Sequence, residues 1–151
     1  MGSFFGKDRW TNPAFEECLK SRKIIVFPRA RQLVKKEFSS AQQDLEEARD
    51  RLAHGKWKYA TINGYYALFH AARALLYFQG FRERGHHCLA VALEALYVHK
   101  GFLDANLVNS FKESMALREN ADYTGVFSRE GASLSISNAE EFLDAARTVL
   151  K

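Results

Sequence analysis

The stretch Trp57-Lys-Tyr-Ala-Thr-Ile-Asn-Gly-Tyr-Tyr-Ala-Leu-Phe-His-Ala-Ala-Arg-Ala-Leu-Leu-Tyr-Phe-Gln79 decides the fold. It is apolar nearly all round, which predicts a helix at the centre of a bundle rather than on its surface. Ile62, Tyr65, Phe69, Ala72 and Leu76 recur at spacings of three and four and form the main core stripe. Gly64, Ala67, Ala71 and Ala74 make a strip of small residues that permits close approach of a neighbouring helix. A third face carries Tyr59, Asn63, Tyr66, His70, Arg73 and Tyr77, again at helical spacing. Polar groups on a largely buried helix need partners. This row is therefore expected to line a cleft, to form a self-complementary dimer seam, or to be satisfied within the bundle, and the last two are favoured because periodicity first reports packing.

Outward from this helix, Gly80 is its stop, and Phe81 to Gly85 read as a loop leading to a further helix from about His86 to His99, with Leu89, Leu93 and Leu96 inward. On the other side, a helix from about Pro28 to His54 places Leu33, Val34, Phe38, Ala41, Leu45, Ala48 and Leu52 on one face, with Gly55 as its stop. A helix from about Asp104 to Asn120 uses Leu107, Phe111 and Met115. The last is expected to begin at Ser137, where Glu140 completes a capping box, and leaves Ala121 to Leu134 as the longest non-helical stretch. Ahead of the bundle, residues 1–29 read as an arm: Asn12 caps a short helix opened by Pro13 and running through about Leu19, the apolar Ile24 to Phe27 follow, and Trp10 and Phe27 dock the arm. No strand-like alternation is visible. The expected class is all-α, an up-and-down bundle of four to five helices over residues 30–151 with a short helical arm before it.

The bulk properties agree. The 151 residues suit one domain, and 47% hydrophobic content with only two prolines excludes disorder. The apolar runs are broken by His70, Arg73 or Glu94 before they reach membrane-spanning length, and the first residues lack the apolar core of a signal peptide. Two cysteines make no disulfide framework, and Cys88, inside an apolar helix, is expected as a free buried thiol; a reducing cytoplasm fits best. The net charge of +4 and pI near 9.1 favour an anionic partner only if the charge is focused on one face.

No glycine-rich phosphate loop, paired-cysteine motif, His-Glu-x-x-His pattern or serine-nucleophile elbow is present, so no cofactor or metal is expected. Chemistry is left to less familiar constellations. In Phe81-Arg-Glu-Arg-Gly-His-His87, Arg82, Arg84, His86 and His87 meet the amino end of a helix, where free N–H groups and the dipole favour an anion and lower a histidine pKa. Simple capping by a histidine and solvated arginines explain the same residues equally well. In Leu117-Arg-Glu-Asn-Ala-Asp-Tyr123, Arg118 suits a helix carboxyl end, Asp122 can pair with it, and Tyr123 offers a stacking surface.

Taken together, the run from Asn63 through His70 and Arg73, Gly80, His86-His87, Arg118 to Tyr123, and Ala139-Glu-Glu-Phe-Leu143 resembles the HEPN (higher eukaryotes and prokaryotes nucleotide-binding) family, of the small stand-alone prokaryotic type. The similarity spans roughly Ala30 to Leu150. It implies a helical bundle that acts as a homodimer, and a nucleotide- or RNA-binding role in a toxin-antitoxin pair with a minimal nucleotidyltransferase partner. The interrupted apolar runs leave no membrane partner to expect. The family's nucleases are metal-independent and use an Arg, four to six residues and a His. Arg118 holds the arginine position here, but Tyr123 stands where a histidine is expected; Arg82 and His87 meet the spacing from the earlier loop. The resemblance thus favours a binding or interaction module, with a ribonuclease toxin using Arg118 or Arg82 with His86 or His87 as the alternative and a purely structural dimerisation module as the third reading.

Overall fold

The computed structural model describes residues 12–151, so the expected docking of Trp10 lies outside the described residues. Its elements are α1 (Pro13–Lys20), β1 (Ile24–Val26), a 3-10 turn (Pro28–Leu33), α2 (Val34–Ala53), α3 (Trp57–Phe78), β2 (Phe81–Glu83), α4 (His86–Leu93), α5 (Ala105–Glu119) and α6 (Arg129–Val149). Single π-turns continue α4 over Glu94–Val98 and α5 over Asn120–Thr124. The class is all-α, as the periodicity requires.

The central helix, α3, packs against α2, α5 and α6. Tyr65, Ala72 and Leu76 of the main stripe are fully buried and Phe69 nearly so, as are Ala67, Ala71 and Ala74 of the small strip. The glycine in that strip has a geometric reason: a Cβ on Gly64 would stand 2.5 Å from Ser135 Oγ of α6. The same Ser135 hydroxyl donates to the Thr61 carbonyl at 2.9 Å, so α3 and α6 meet backbone to side chain with nothing between them.

Three expectations are corrected. The last helix begins eight residues before Ser137, because Ser128 caps it by accepting from Gly131 N at 2.9 Å, and Ala132, Ser135, Ile136 and Ala139 continue one buried face through the presumed boundary. A helical face outweighs an internal Ser-x-x-Glu match. The loop after α3 contains a strand: Ile24, Ile25 and Val26 pair antiparallel with Glu83, Arg82 and Phe81. Three-residue strands are too short to alternate visibly. The first long helix opens as a 3-10 turn and becomes α-helical only at Val34.

The cysteines are also corrected: Cys18 of α1 and Cys88 of α4 form a disulfide across 70 residues, with Cα atoms 5.9 Å apart, so Cys88 is not a free thiol. The β1–β2 pairing and the packing of α1 on α4 bring the two together. None of the described helices is long and apolar enough to cross a membrane.

Candidate functional site at the Tyr65–His86–Arg118 junction

The polar row of α3 finds its partners inside the bundle. Asn63 Nδ2 donates to Asp44 at 3.3 Å, and His70 Nδ1 lies 2.6 Å from Glu37 with its Nε2 3.5 Å from Asp44. Arg73 pairs with Glu83 at 3.2 Å, reaches Glu37 at 4.0 Å, and donates to the Tyr77 hydroxyl. Glu37 and Glu83 are both buried; the Arg73 guanidinium and the hydrogen bond between His70 Nδ1 and Glu37 make their burial tolerable. Burial nonetheless raises the pKa of Glu83, against the opposing pull of Arg73. Tyr59, at the start of the row, is exposed.

Tyr66 leads from this network to a second cluster. Its hydroxyl accepts from Arg118 Nη2 at 2.8 Å, reaching from α3 to the end of α5. The Arg118 guanidinium lies 5.4 Å from the ring centres of both Tyr66 and Tyr123 and 5.8 Å from that of Tyr65. Such cation–π placement holds the cation's plane among aromatic faces. Asp122 approaches Nη2 at 3.7 Å, and Nε, which is buried, has no hydrogen-bond partner among the described residues. Burial opposes the charge on Arg118, but Tyr66, Tyr123 and Asp122 outweigh it and raise the pKa. The group is a permanent cation with donor capacity left over.

Tyr65 joins this arginine to the helix that follows β2. It is fully buried, which drives its pKa upward, and its hydroxyl shares a hydrogen bond with His86 Nδ1. The His86 ring stacks on Phe69 at 4.5 Å and on Tyr65 at 5.7 Å. Burial lowers the His86 pKa, and the positive fields of Arg118 and Arg73 add to the effect. A half-buried imidazole between two guanidinium groups is neutral at pH 7, available as an acceptor or base.

Of the residues singled out in the sequence, Arg118, Tyr123, Asp122 and His86 therefore gather around Tyr65 and Tyr66. His87 does not: it is exposed on another side of α4, beside Lys112, Met115 and Glu119. Arg82 and Arg84 point outward from β2 and line, with Ile25, Arg73 and His86, a cleft of about 450 Å³ that opens next to the cluster. Tyr65, at the centre of the arrangement, reads from the sequence only as core. The available signal was its hydroxyl, since a tyrosine in a core stripe must find a hydrogen-bond partner. No group of side chains suited to holding a metal occurs among the described residues.

The comparisons with known proteins agree with the fold. A protein from Methanocaldococcus jannaschii carrying the name "Putative toxin MJ0605" is 29% identical over 112 residues, which cover 74% of this chain and 84% of that protein. A protein of the UPF0332 group from Pyrococcus horikoshii is 31% identical over 71 residues, about half of each chain. The model of the HEPN domain matches residues 34–151, from the first residue of α2 to the end of the sequence. The chain belongs to the HEPN domain family.

Proposed function

We propose that the chain is the HEPN member of a toxin-antitoxin-type pair and binds the phosphate of a nucleotide or RNA at the Arg118 cluster. The observation that carries this is the placement of the Arg118 guanidinium against three tyrosine rings with spare N–H donors, beside a neutral His86. Arginine held in this way offers a planar fork for phosphate oxygens, and the exposed Tyr123 ring gives a base a surface to stack on. The toxin name of the M. jannaschii relative supports the biological setting. In that setting the protein acts as a homodimer with a minimal nucleotidyltransferase as its partner.

Isothermal titration with AMP and with short single-stranded RNA tests the binding. Arg118→Ala is expected to abolish AMP binding and weaken RNA binding, and Tyr123→Ala to weaken both by about 1–3 kcal/mol, the worth of one base-stacking contact. Unaltered affinity in Arg118→Ala would refute the site.

One observation favours a ribonuclease as the second reading. His86 is neutral through burial and its Nε2 makes no hydrogen bond among the described residues, while Arg118 lies across the same tyrosine. A base for the ribose 2′-hydroxyl and a cation for the charge building on phosphorus would thus sit close together. Growth arrest on induced expression, relieved by His86→Ala and accompanied by RNA cleavage, is the expected outcome. Absence of both arrest and cleavage would exclude catalysis and leave the binding role.

A further inference from the structure

The net charge of +4 is not spread evenly over the molecule. Between Cys18 and Lys36 every charged side chain is basic: Lys20 ends α1, Arg22 and Lys23 link it to β1, Arg29 and Arg31 lie in the 3-10 turn, and Lys35 and Lys36 open α2. The pairing of β1 with β2 sets Arg82 and Arg84 beside them, with Arg84 N donating to the Lys23 carbonyl at 2.8 Å. Arg31 Nε donates to the Phe78 carbonyl at 2.7 Å, which fastens the 3-10 turn to the end of α3. All nine of these basic residues are exposed, and none forms an ion pair with any described residue.

The two acids that fall in the same segments, Glu37 and Glu83, are both buried and engaged inward with His70 and Arg73. The nearest earlier acids are Glu16 and Glu17, four and three residues before Lys20 on α1. Nine basic against two acidic residues give these segments +7, which leaves −3 for the rest of the chain. The charge is focused, the condition under which a basic composition points to a polyanion.

We propose that this basic end, built on the β1–β2 ribbon, is a docking surface for the backbone of single-stranded RNA whose strand continues into the Arg118 cluster. The ligand class rests on the reading of that cluster as a phosphate site. Three features favour a nucleic-acid strand over an acidic polypeptide. Five of the nine cations are arginines, whose planar forks suit phosphate. Apolar surface is interleaved with them: Val26 is 60% exposed, and the half-buried Phe27 ring carries Arg82 above it at 5.8 Å, the mixture on which bases stack. The cleft lined by Ile25, Arg73, Arg82, Glu83, Arg84 and His86 runs from the ribbon to His86, whose Nδ1 is bonded to Tyr65 of the cluster.

The test measures fluorescence anisotropy of the full chain with labelled single-stranded RNA of about 20 nucleotides and with labelled AMP, over a range of salt. Two variants alter exposed residues outside the Arg118 cluster, Lys20→Glu/Lys23→Glu and Lys35→Glu/Lys36→Glu. Each is expected to weaken the RNA about tenfold or more at low salt and to flatten the slope of log affinity against log salt by about 1.4, the release from two phosphate contacts. AMP binding is expected to stay as it is. Lys56→Glu/Lys58→Glu makes the same change in net charge at the other end of α3, roughly 30 Å away, and is expected to do much less. Thermal melts of all three establish that each folds.

The proposal is overturned if the RNA does not bind at low salt, if the ribbon variants bind it no worse than the Lys56→Glu/Lys58→Glu control, or if polyglutamate of equal charge competes as well as RNA. Arg118→Ala separates this surface from the cluster. Loss of AMP in that variant alone upholds the cluster, whereas RNA loss in the ribbon variants with AMP binding intact in Arg118→Ala upholds the ribbon and refutes the cluster.

Discussion

The Cys18–Cys88 bridge closes a loop of 70 residues, and its contribution can be worked from that length. Cross-linking removes loop-closure entropy from the unfolded chain, and in the chain-entropy treatment a loop this long is worth about 4.4 kcal/mol at 25 °C. Both sulfurs lie in the core, at 4% and 3% residue exposure, so two thiols, or two alanines, would leave only a small defect in the folded state. The loss therefore falls on the unfolded side. With about 2.1 cal/mol/K of unfolding entropy per residue, 151 residues give about 0.32 kcal/mol/K, and 4.4 kcal/mol becomes a drop in Tm of about 14 °C.

Circular-dichroism melts with and without reductant measure this drop, and alkylation under denaturing conditions reports whether the bridge is closed. A bridge also has a signature that ordinary packing lacks. Cys18→Ala, Cys88→Ala and the double variant should all fall by nearly the same amount, because the first substitution already opens the loop. Two observations would refute the reasoning: both cysteines alkylating in unreduced protein, or additive losses in the double variant.

Gly64→Ala is expected to lower stability by about 1–2 kcal/mol in urea melts, because overpacking against Ser135 outweighs the gain of about 1 kcal/mol in helix propensity. Arg73→Leu removes the main partner of buried Glu83 and one partner of Glu37, and is expected to cost about 3 kcal/mol at neutral pH and less in acid, where Glu83 can take up a proton; an equal loss at both pH values would contradict the pairing. The His86 pKa is lowered in the folded state, so the unfolded chain binds more protons as pH falls below about 6.5. The stability that neutral His86 contributes is thus full above that pH and is lost as pH falls through the lower folded value. Wild-type Tm should decline more steeply from pH 7 to pH 5 than that of His86→Gln, and parallel profiles would contradict the assignment.

How much of this was legible in the sequence depended on the length over which a pattern persists. The stripes of α3 run for six turns, and a periodicity of that length fixes which residues are inside before any partner is known. Phe81–Glu83 extends over three residues and pairs with a segment 55 or more positions away, so nothing local marks it as a strand. The bridge is not legible because Cys18 and Cys88 are equally compatible with two buried thiols, and only the docking of α1 on α4 distinguishes the cases. At the cluster, Arg118 and Asp122 were visible as an i,i+4 pair and Tyr123 as their neighbour, but the pairing of Tyr65 with His86 spans 21 residues and a change of direction.

The segment from Phe81 to Cys88, which the sequence presents as a connecting loop and the first turn of a helix, is held at three points. Phe81–Glu83 is tied into the ribbon, Arg84 N is bonded to Lys23, and Cys88 is joined covalently to α1. His86 lies between the second and third of these ties, fixed further by Tyr65 and by stacking on Phe69. A mobile loop would bring its arginines and imidazole to an anion only by ordering on binding, at a cost of about 1–2 kcal/mol for each residue fixed. Here that ordering is complete before any ligand arrives, and the arm supplies it. The arm accordingly belongs to the site in a physical sense, although the family match begins only at Val34: its strand positions Arg82 and Arg84, and its cysteine holds the helix on which His86 is carried.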